Sequence, residues 1–512
     1  MPQKYDTIIS MKPIYYDSSV PEKEAKARFF FPEFVMMENA AGALENSVIS
    51  RKPETVIIFC GTGNNGGDGY ALARRIFGEF ENVFVISFGE PKAEEAKIQK
   101  KMTESVGVEI NNFSSLDSTL DLLKKSLSSK TVIVDCIYGT GFHGELDSEL
   151  QKIIEFVNQC DAYRIACDIP SGIDRAGCIS TTGADGEKIA FCADETVTMG
   201  ALKTALYSDT AKDFAGDIKV SKLGLSDSVF NSLSVPDAFL LEETDIRRPV
   251  RIKKSVHKGN FGHAAIFAGE KAGAAVIAGT AALGFGAGLV SIVQENDGAQ
   301  FIMNPELMLS SEIPEKTTAL QIGSGLGRSK IAEKTSGFAL DYVCKMKSPA
   351  VVLDADFFYL ESLSVILEKL NAPSGLRIIL TPHPKELHEI LRKTKLADVS
   401  FEEVCERRLE YARMFAERFP NLVLVSKGAN TYIFAEKQLF ICDRGTSALA
   451  KAGSGDVLAG LCTALLAQGY SAMDAATTAV FCHAEASSAF EKNYACTPFN
   501  LIEKLVSPDS GI

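Results

Sequence analysis

The chain has 512 residues, of which 46% are hydrophobic and 23% charged, and a formal net charge of −13. Its length suits two or three domains with substantial cores, and its composition is ordinary for a globular protein. The acidic balance argues against nucleic acid or an anionic membrane as a partner, because both need clustered Lys and Arg; a local pocket for a small phosphorylated ligand stays open.

From the N-terminus, residues 1–6 lack the apolar stretch of a signal peptide. The 12 cysteines are scattered without a C-x-x-C pair, which removes a zinc or thioredoxin-like reading and points to buried thiols in a reducing cytoplasm. Residues 55–59, 83–87, 131–134 and 164–167 are short β-branched runs alternating with helical stretches. They predict an open parallel sheet with helices on both faces. Ligands bind such sheets at the C-terminal ends of the strands, and three chemically loaded turns fall there, after Phe59, Val134 and Cys167.

The pattern lapses around residues 225–250, where Ser226, Ser228, Ser232, Ser234 and Pro236 suggest a linker. The expected domains are therefore 1–228 and 229–512. Strand-like alternation resumes at His263 and continues through 350–353, 377–380 and 422–425. Residues 272–294 carry no charge and imitate a membrane span, but five glycines and a break at 283–288 predict a small-residue helix packed on a sheet. The fold class expected is α/β, with a Rossmann-like three-layer αβα sheet in the first domain.

The first glycine run is Gly61-Thr62-Gly63-Asn64-Asn65-Gly66-Gly67-Asp68-Gly69, expected as a loop before a helix starting at Tyr70. Its G-x-G-x-x-G skeleton alone is a weak dinucleotide fingerprint, and an acid near Glu90 would complete an NAD-dependent dehydrogenase. The amides of Asn64 and Asn65 and the carboxylate of Asp68 fit that reading poorly. They suit a sugar-phosphate or ribose with a cation, unless Asp68 merely caps the helix.

Three further motifs follow in order: Asp135-Cys136-Ile137-Tyr138-Gly139-Thr140-Gly141-Phe142, then Asp168-Ile169-Pro170-Ser171-Gly172-Ile173-Asp174, then Ala193 to Thr198 with Lys203. With the glycine run, they make residues 30–220 resemble the epimerase domain of the NAD(P)H-hydrate repair enzymes. That resemblance implies that Asn65, Asp135 and Ser171 supply oxygens to a potassium ion. It implies that Asn64, Asn65, Gly66, Gly67 and Asp68, with Gly139, Thr140, Gly141, Phe142, His143, Gly144 and Glu145, hold the nicotinamide nucleotide. Asp168 would then move the proton that exchanges the two C6 epimers.

In the second half, Gly453-Ser454-Gly455-Asp456 opens an apolar helix. Backbone N–H groups and the helix dipole make such a start an anion site, and an acid placed there suits a general base beside a transferring phosphoryl group. An ordinary N-cap is the plain alternative. Thr381-Pro382-His383-Pro384-Lys385-Glu386-Leu387 would expose His383 and Glu386 at a strand end. Together with Lys427-Gly428-Ala429-Asn430-Thr431 and Gly323 to Gly327, these runs make residues 240–505 resemble a ribokinase-like domain of the ADP/ATP-dependent NAD(P)H-hydrate dehydratase branch.

By that resemblance Asp456 deprotonates the C6 hydroxyl, and Ala274, Gly327, His383 and Asp456 face the hydrate. Lys427, Gly428, Ala429, Asn430, Thr431, Gly453, Ser454 and Gly455 would hold ADP or ATP with Mg2+. The chain is expected to be a cytoplasmic homo-oligomer acting on NADHX or NADPHX, the hydrated forms of the dinucleotides. The rival reading is a single-function kinase of a small alcohol carrying an N-terminal nucleotide-binding module.

Overall fold

The computed structural model describes residues 11–294, 304–345, 350–372 and 375–506; residues 1–6, read above for a signal peptide, lie outside them. The chain divides into two compact units, Pro13–Ala238 and a second from Phe239 on. In the first unit the strands Glu109–Asn112, Asn82–Ser87, Thr55–Cys60, Thr131–Cys136, Tyr163–Cys167, Glu195–Met199 and Asp217–Ser221 lie in that order, each parallel to its neighbour.

The central strands are apolar on both faces because both faces are covered. Val56, Ile58 and Cys60 pack with the Glu33–Arg51 and Asn64–Ile76 helices. Ile57 and Phe59 pack with the Ser148–Asn158 helix on the other side. Cys60 and Cys136 are register partners across adjacent strands, and with Cys167 they are fully buried free thiols.

Two local expectations change. The helix after the first glycine run starts at Asn64, not Tyr70, with Gly63 at its N-cap. Gly66, Gly67 and Gly69 lie inside it because the helix presses close to its neighbours: a Cβ at Gly66 would overlap the Gly61 carbonyl, and one at Gly69 would sit 2.7 Å from Cys60 Sγ. Similarly, the serine-rich segment near residue 230 does not run free. Asp227–Asn231 is a short helix, and Phe230 and Leu233 join the core formed by Met199, Ala201 and Leu223. Apolar burial draws this segment onto the first unit.

The second unit orders its strands Met308–Ser310, Leu289–Val293, His263–Phe267, Ala319–Ile322, Ala350–Leu353, Arg377–Leu380, Val423–Ser426, Thr431–Ala435, Gln438–Cys442 and Ala238–Leu240. The pairings are parallel up to Val423–Ser426, after which Thr431–Ala435 runs antiparallel to both its neighbours. The Ala272–Gly284 helix and the Ser454–Ala467 helix lie against each other in the core of this unit. No helix among the described residues is long and apolar enough to cross a membrane.

These two helices meet backbone to backbone. A Cβ on Gly460 would overlap the Ala278 carbonyl, so glycine is required by space although alanine favours a helix by about 1 kcal/mol. Gly460→Ala is expected to destabilise this unit by roughly 1–3 kcal/mol net of that propensity gain, read as a lower urea midpoint; an unchanged or higher midpoint would refute the contact.

Candidate active sites

In the first unit the chemistry gathers where the central strands end. Asp135, at the end of Thr131–Cys136, is fully buried. Its Oδ1 accepts from the Ser171 hydroxyl at 2.7 Å and the Ile137 N–H at 3.1 Å, and its Oδ2 accepts from the Ser171 N–H at 2.8 Å. Burial pushes its pKa up to about 6, against the pull of those donors. Asn65, in the first turn of its helix, donates from Nδ2 to the carbonyls of Tyr138 (2.9 Å) and Cys167 (3.2 Å). The Tyr138 N–H donates to Ser171 Oγ at 3.0 Å. Asn65, Asp135 and Ser171 thus share one bonded cluster.

Asp168 follows Cys167 with φ at 72°, a left-handed conformation that Asp adopts more readily than most residues and that concentrates at functional sites. Its Oδ1 meets Lys203 Nζ at 2.7 Å and the Met199 N–H at 3.2 Å, while Oδ2 accepts from the Thr140 N–H at 3.3 Å. Lys203 also donates to Thr198 Oγ1, the Met199 carbonyl and the Ala201 carbonyl. A lysine so fully engaged fixes Asp168 instead of reaching for a ligand.

Asp68 is not a cap. It lies buried within the Asn64–Ile76 helix, where the Cys167 thiol donates to its Oδ2 at 3.7 Å. Burial, then the nearby Asp168 carboxylate, pushes it well above the usual carboxylate range. Gly139 borders the site, since a Cβ there would sit 2.9 Å from Asp168 Oδ2. Phe142 stacks obliquely on Tyr138 with ring centroids 4.9 Å apart. Asn64, Gly141, His143, Gly144 and Glu145 are exposed, and no contact ties them to Asp168.

In the second unit Asp354 is the hub. It follows the Ala350–Leu353 strand and is 2% exposed. Oδ1 accepts from Thr381 Oγ1 at 2.7 Å and from Lys427 Nζ at 3.1 Å; Oδ2 accepts from Ser324 Oγ at 3.3 Å. Lys427 lies 3.8 Å from Glu386 Oε2, and a Cβ on Gly455 would sit 3.4 Å from Lys427 Nζ. Ser454, Gly455 and Asp456 form the first turn of their helix, after Gly453 with φ at 92°. His483 Nε2 lies 2.9 Å from the Ser454 carbonyl.

Burial and the Asp354 carboxylate raise Asp456 to about 7, while Ser324 and Lys427 pull the other way. Glu386 is raised to about 7 in the same manner. Glu386 is buried, against the expectation, because His383 and Glu386 cap the Pro384–Thr394 helix reciprocally; His383 is exposed as expected, its side chain 46% accessible. His383 Nδ1 accepts from the Lys385 and Glu386 N–H groups, and Glu386 Oε2 accepts from the His383 N–H. Burial and Lys427 lower His383 to about 4. The neutral ring therefore carries its proton on Nε2, 3.1 Å from Glu386 Oε1.

Gly327 donates its N–H to Asp356 Oδ2 at 3.0 Å, and Ala274 lies beside Gly325. Gly428 and Ala429 are exposed and Thr431 starts the next strand. The loop is held from below by Arg408, which is 2% exposed. Arg408 Nη1 donates to the Ser426 carbonyl (2.8 Å) and hydroxyl (2.9 Å), and Nη2 donates to the Asn430 carbonyl at 2.5 Å. Its guanidinium lies 4.0 Å over the Tyr432 ring. A Cβ on Gly428 would overlap it. Among the described residues no group of three or more His, Cys, Asp or Glu is arranged to hold a metal ion.

Two family models match the chain. Residues 33–205 match the YjeF-related protein N-terminus, and residues 264–507 match NAD(P)H-hydrate dehydratase. The bifunctional NAD(P)H-hydrate repair enzyme Nnr of Helicobacter pylori is 39% identical over 97% of this chain and 99% of its own length. The chain belongs to the family of bifunctional NAD(P)H-hydrate repair enzymes. The Nnr proteins of Dictyoglomus turgidum (31% identical, 92% of each chain) and Escherichia coli (30% identical, 88% of this chain and 85% of theirs) are similar along their length as well. A crystal structure of the ADP/ATP-dependent NAD(P)H-hydrate dehydratase from Bacillus subtilis with ATP/Mg2+ is 26% identical, covering 50% of this chain and 91% of that one at a TM-score of 0.42. Full-length likeness to two-activity enzymes leaves the single-function kinase reading disfavoured.

Within this NAD(P)H-hydrate repair enzyme, sequence reasoning assigned no role to Lys203, Ser324, Asp354 or Arg408. Asp354 had a readable signal, an acid directly after a buried strand, which is the rule that picked out Asp135 and Asp168. Arg408 had none, because it reaches its loop from a helix lying earlier in the chain.

Two outcomes are expected. Arg408→Met removes three hydrogen bonds to Ser426 and Asn430 and should cost roughly 2–3 kcal/mol of stability, seen in urea unfolding; wild-type stability would refute the bracing role. Asp456 has a folded pKa above its ordinary value of 3.8, so its stability contribution is fully present below that value and is lost as pH rises toward 7. Asp456→Asn should therefore raise the melting temperature more at pH 8 than at pH 5, and an equal change at both would refute the shift.

Proposed function

We propose that the first unit exchanges the C6 epimers of NADHX and NADPHX and that the second dehydrates one epimer using ADP or ATP, with the division of labour falling near residue 238. The observation that carries this reading is Asp456, an acid of near-neutral pKa in the first turn of a helix beside Lys427.

Hydroxide is a poor leaving group, and phosphorylation of the C6 oxygen supplies a better one. Asp456 takes the hydroxyl proton as the oxygen attacks the terminal phosphorus, and the bond from that phosphorus to the nucleotide breaks. The N–H groups at the helix start, around Gly453, Ser454 and Gly455, stabilise the transferring phosphoryl. The C6–O bond then breaks with departure of phosphate and loss of a C5 proton, giving the dihydronicotinamide. ADP ends as AMP and phosphate, or ATP as ADP and phosphate. Lys427, Gly428, Ala429, Asn430 and Thr431 hold the nucleotide, and Mg2+ arrives on its phosphates. Ala274, Gly327 and His383 face the hydrate.

In the first unit Asp168, held by Lys203, moves the proton for epimer exchange. Asn64 to Asp68 and Gly139 to Glu145 hold the dinucleotide. A potassium ion fits Asn65, Asp135 and Ser171: the donors are hard oxygens of low total charge. Asp135 is buried with no basic side chain among its hydrogen-bond partners, so a cation would balance its charge. By resemblance to its family, the enzyme is proposed to be a cytoplasmic homo-oligomer.

The test uses purified protein with both epimers of each hydrate and ADP or ATP, following the dihydronicotinamide absorbance. Both epimers should recover fully, with a rate that rises as pH passes about 7 and Asp456 ionises. Asp456→Asn should slow dehydration by at least about a hundredfold and leave epimer exchange intact. No recovery with either nucleotide would refute the dehydratase, and recovery of one epimer alone would refute the epimerase.

A further inference from the structure

The second unit's site has a charge mismatch with the substrate proposed for it. Asp354, Asp356, Glu386 and Asp456 gather there, with Asp356 felt by both Glu386 and Asp456. The Glu270 carboxylate borders Gly327. Against them stands Lys427, already paired with Asp354 at 3.1 Å and near Glu386 at 3.8 Å. A dinucleotide hydrate adds a pyrophosphate, and the NADP form adds a 2′-phosphate carrying about two further charges.

Arg328 is the group placed to meet that charge. It follows Gly327 in the turn after the Ala319–Ile322 strand, the same turn whose Ser324 bonds Asp354. Its guanidinium lies 3.4 Å over the Tyr359 ring, and its Nε meets Asp356 Oδ1 at 3.4 Å. Asp356 therefore holds the Gly327 N–H with one oxygen and Arg328 with the other. The Arg328 side chain is nonetheless 58% exposed. A guanidinium stacked on an aromatic face keeps its rigid fork of donors in a fixed plane, which matches phosphate oxygens in pairs. Asp356 takes up Nε alone, and the Tyr359 hydroxyl is a further partner of the guanidinium.

We propose that Arg328, braced by Tyr359 and Asp356, binds a phosphate of the dinucleotide hydrate in the dehydratase site. This rests on the dehydratase reading above. Stacking orders the side chain before a ligand arrives, so less freedom is lost on binding than with a free surface arginine. The shared chemistry is a phosphate dianion or diester, and either the pyrophosphate or the 2′-phosphate can supply it.

The experiment compares full-length wild type, Arg328→Ala, Arg328→Lys and Tyr359→Leu with NADH hydrate and NADPH hydrate separately. Epimer exchange and the KM for ADP serve as internal controls of folding, and binding of intact NADPH is followed by its fluorescence. For Arg328→Ala the KM for the hydrate should rise about tenfold or more, with kcat and the ADP KM within about threefold of wild type. Arg328→Lys should recover only part of the loss, and Tyr359→Leu should fall between. One NADPH binding step should weaken in parallel. A loss confined to the NADPH forms assigns the 2′-phosphate; equal loss with both dinucleotides assigns the pyrophosphate.

Unchanged hydrate KM and unchanged NADPH binding in Arg328→Ala would overturn the proposal. So would a rise in the ADP KM, or a fall in kcat with the hydrate KM unmoved. A wild type that dehydrates neither hydrate would refute the dehydratase reading itself, while the NADPH arm would still decide whether Arg328 binds a dinucleotide phosphate.

Discussion

The second unit's site depends on the ion pair of buried Asp354 with half-buried Lys427. Their contact ties the turn after one parallel strand to the turn after another, with Thr381 and Ser324 completing the acid's partners. Breaking such a pair leaves an uncompensated buried charge, so the pair stays closed although each ion was costly to bury. Its field also reaches Asp456. Asp354 disfavours ionisation there and Lys427 favours it, and burial leaves the balance near neutrality, where a general base is most useful.

Both units solve one problem in one way. Parallel strands bring several chain reversals to a common edge, and an acid at a reversal can be held by backbone N–H groups from the next. In the first unit the Ser171, Ile137, Thr140 and Met199 N–H groups do this for Asp135 and Asp168. In the second unit the side chains of Thr381, Ser324 and Lys427 take this part for Asp354. The first site pairs Asp168 with Lys203, while burial and neighbouring acids in the second raise Asp456 and Glu386 to about 7.

Much of this was legible in the sequence, for physical reasons. Strands such as 55–59 and 350–353 announce themselves because a strand buried on both faces must be apolar throughout, and the uncharged small-residue stretch from residue 272 is a helix packed on its neighbours. What local sequence hides is spacing in three dimensions. Gly66, Gly67 and Gly69 look like a loop because glycine lowers helix propensity, yet they let a helix close on the loop before it, on neighbouring helices and on the sheet respectively. Glu386 looks exposed after the two prolines, yet it is buried because its carboxylate turns back to accept from the His383 N–H. Arg408 gives no local sign at all, because its role exists only once the helix carrying it lies under the loop at residues 427–430.

The contact of Gly460 with Ala278 reaches beyond packing. One of these helices begins at Ser454 and the other at Ala272, and a Cβ on Gly453 would sit 3.2 Å from Ile277 Cδ1, so the two first turns lie at one end of a single stiff unit. Under the roles proposed, the start of the Ser454 helix meets the transferring phosphoryl and the hydroxyl that accepts it, and the start of the Ala272 helix meets the hydrate that carries this hydroxyl. Donor and acceptor sites are then registered against each other before either ligand arrives. Such a scaffold has no need for an obligatory order of substrate addition, and its slowest-exchanging amides should lie along these two helices, not in the turns that touch the substrates.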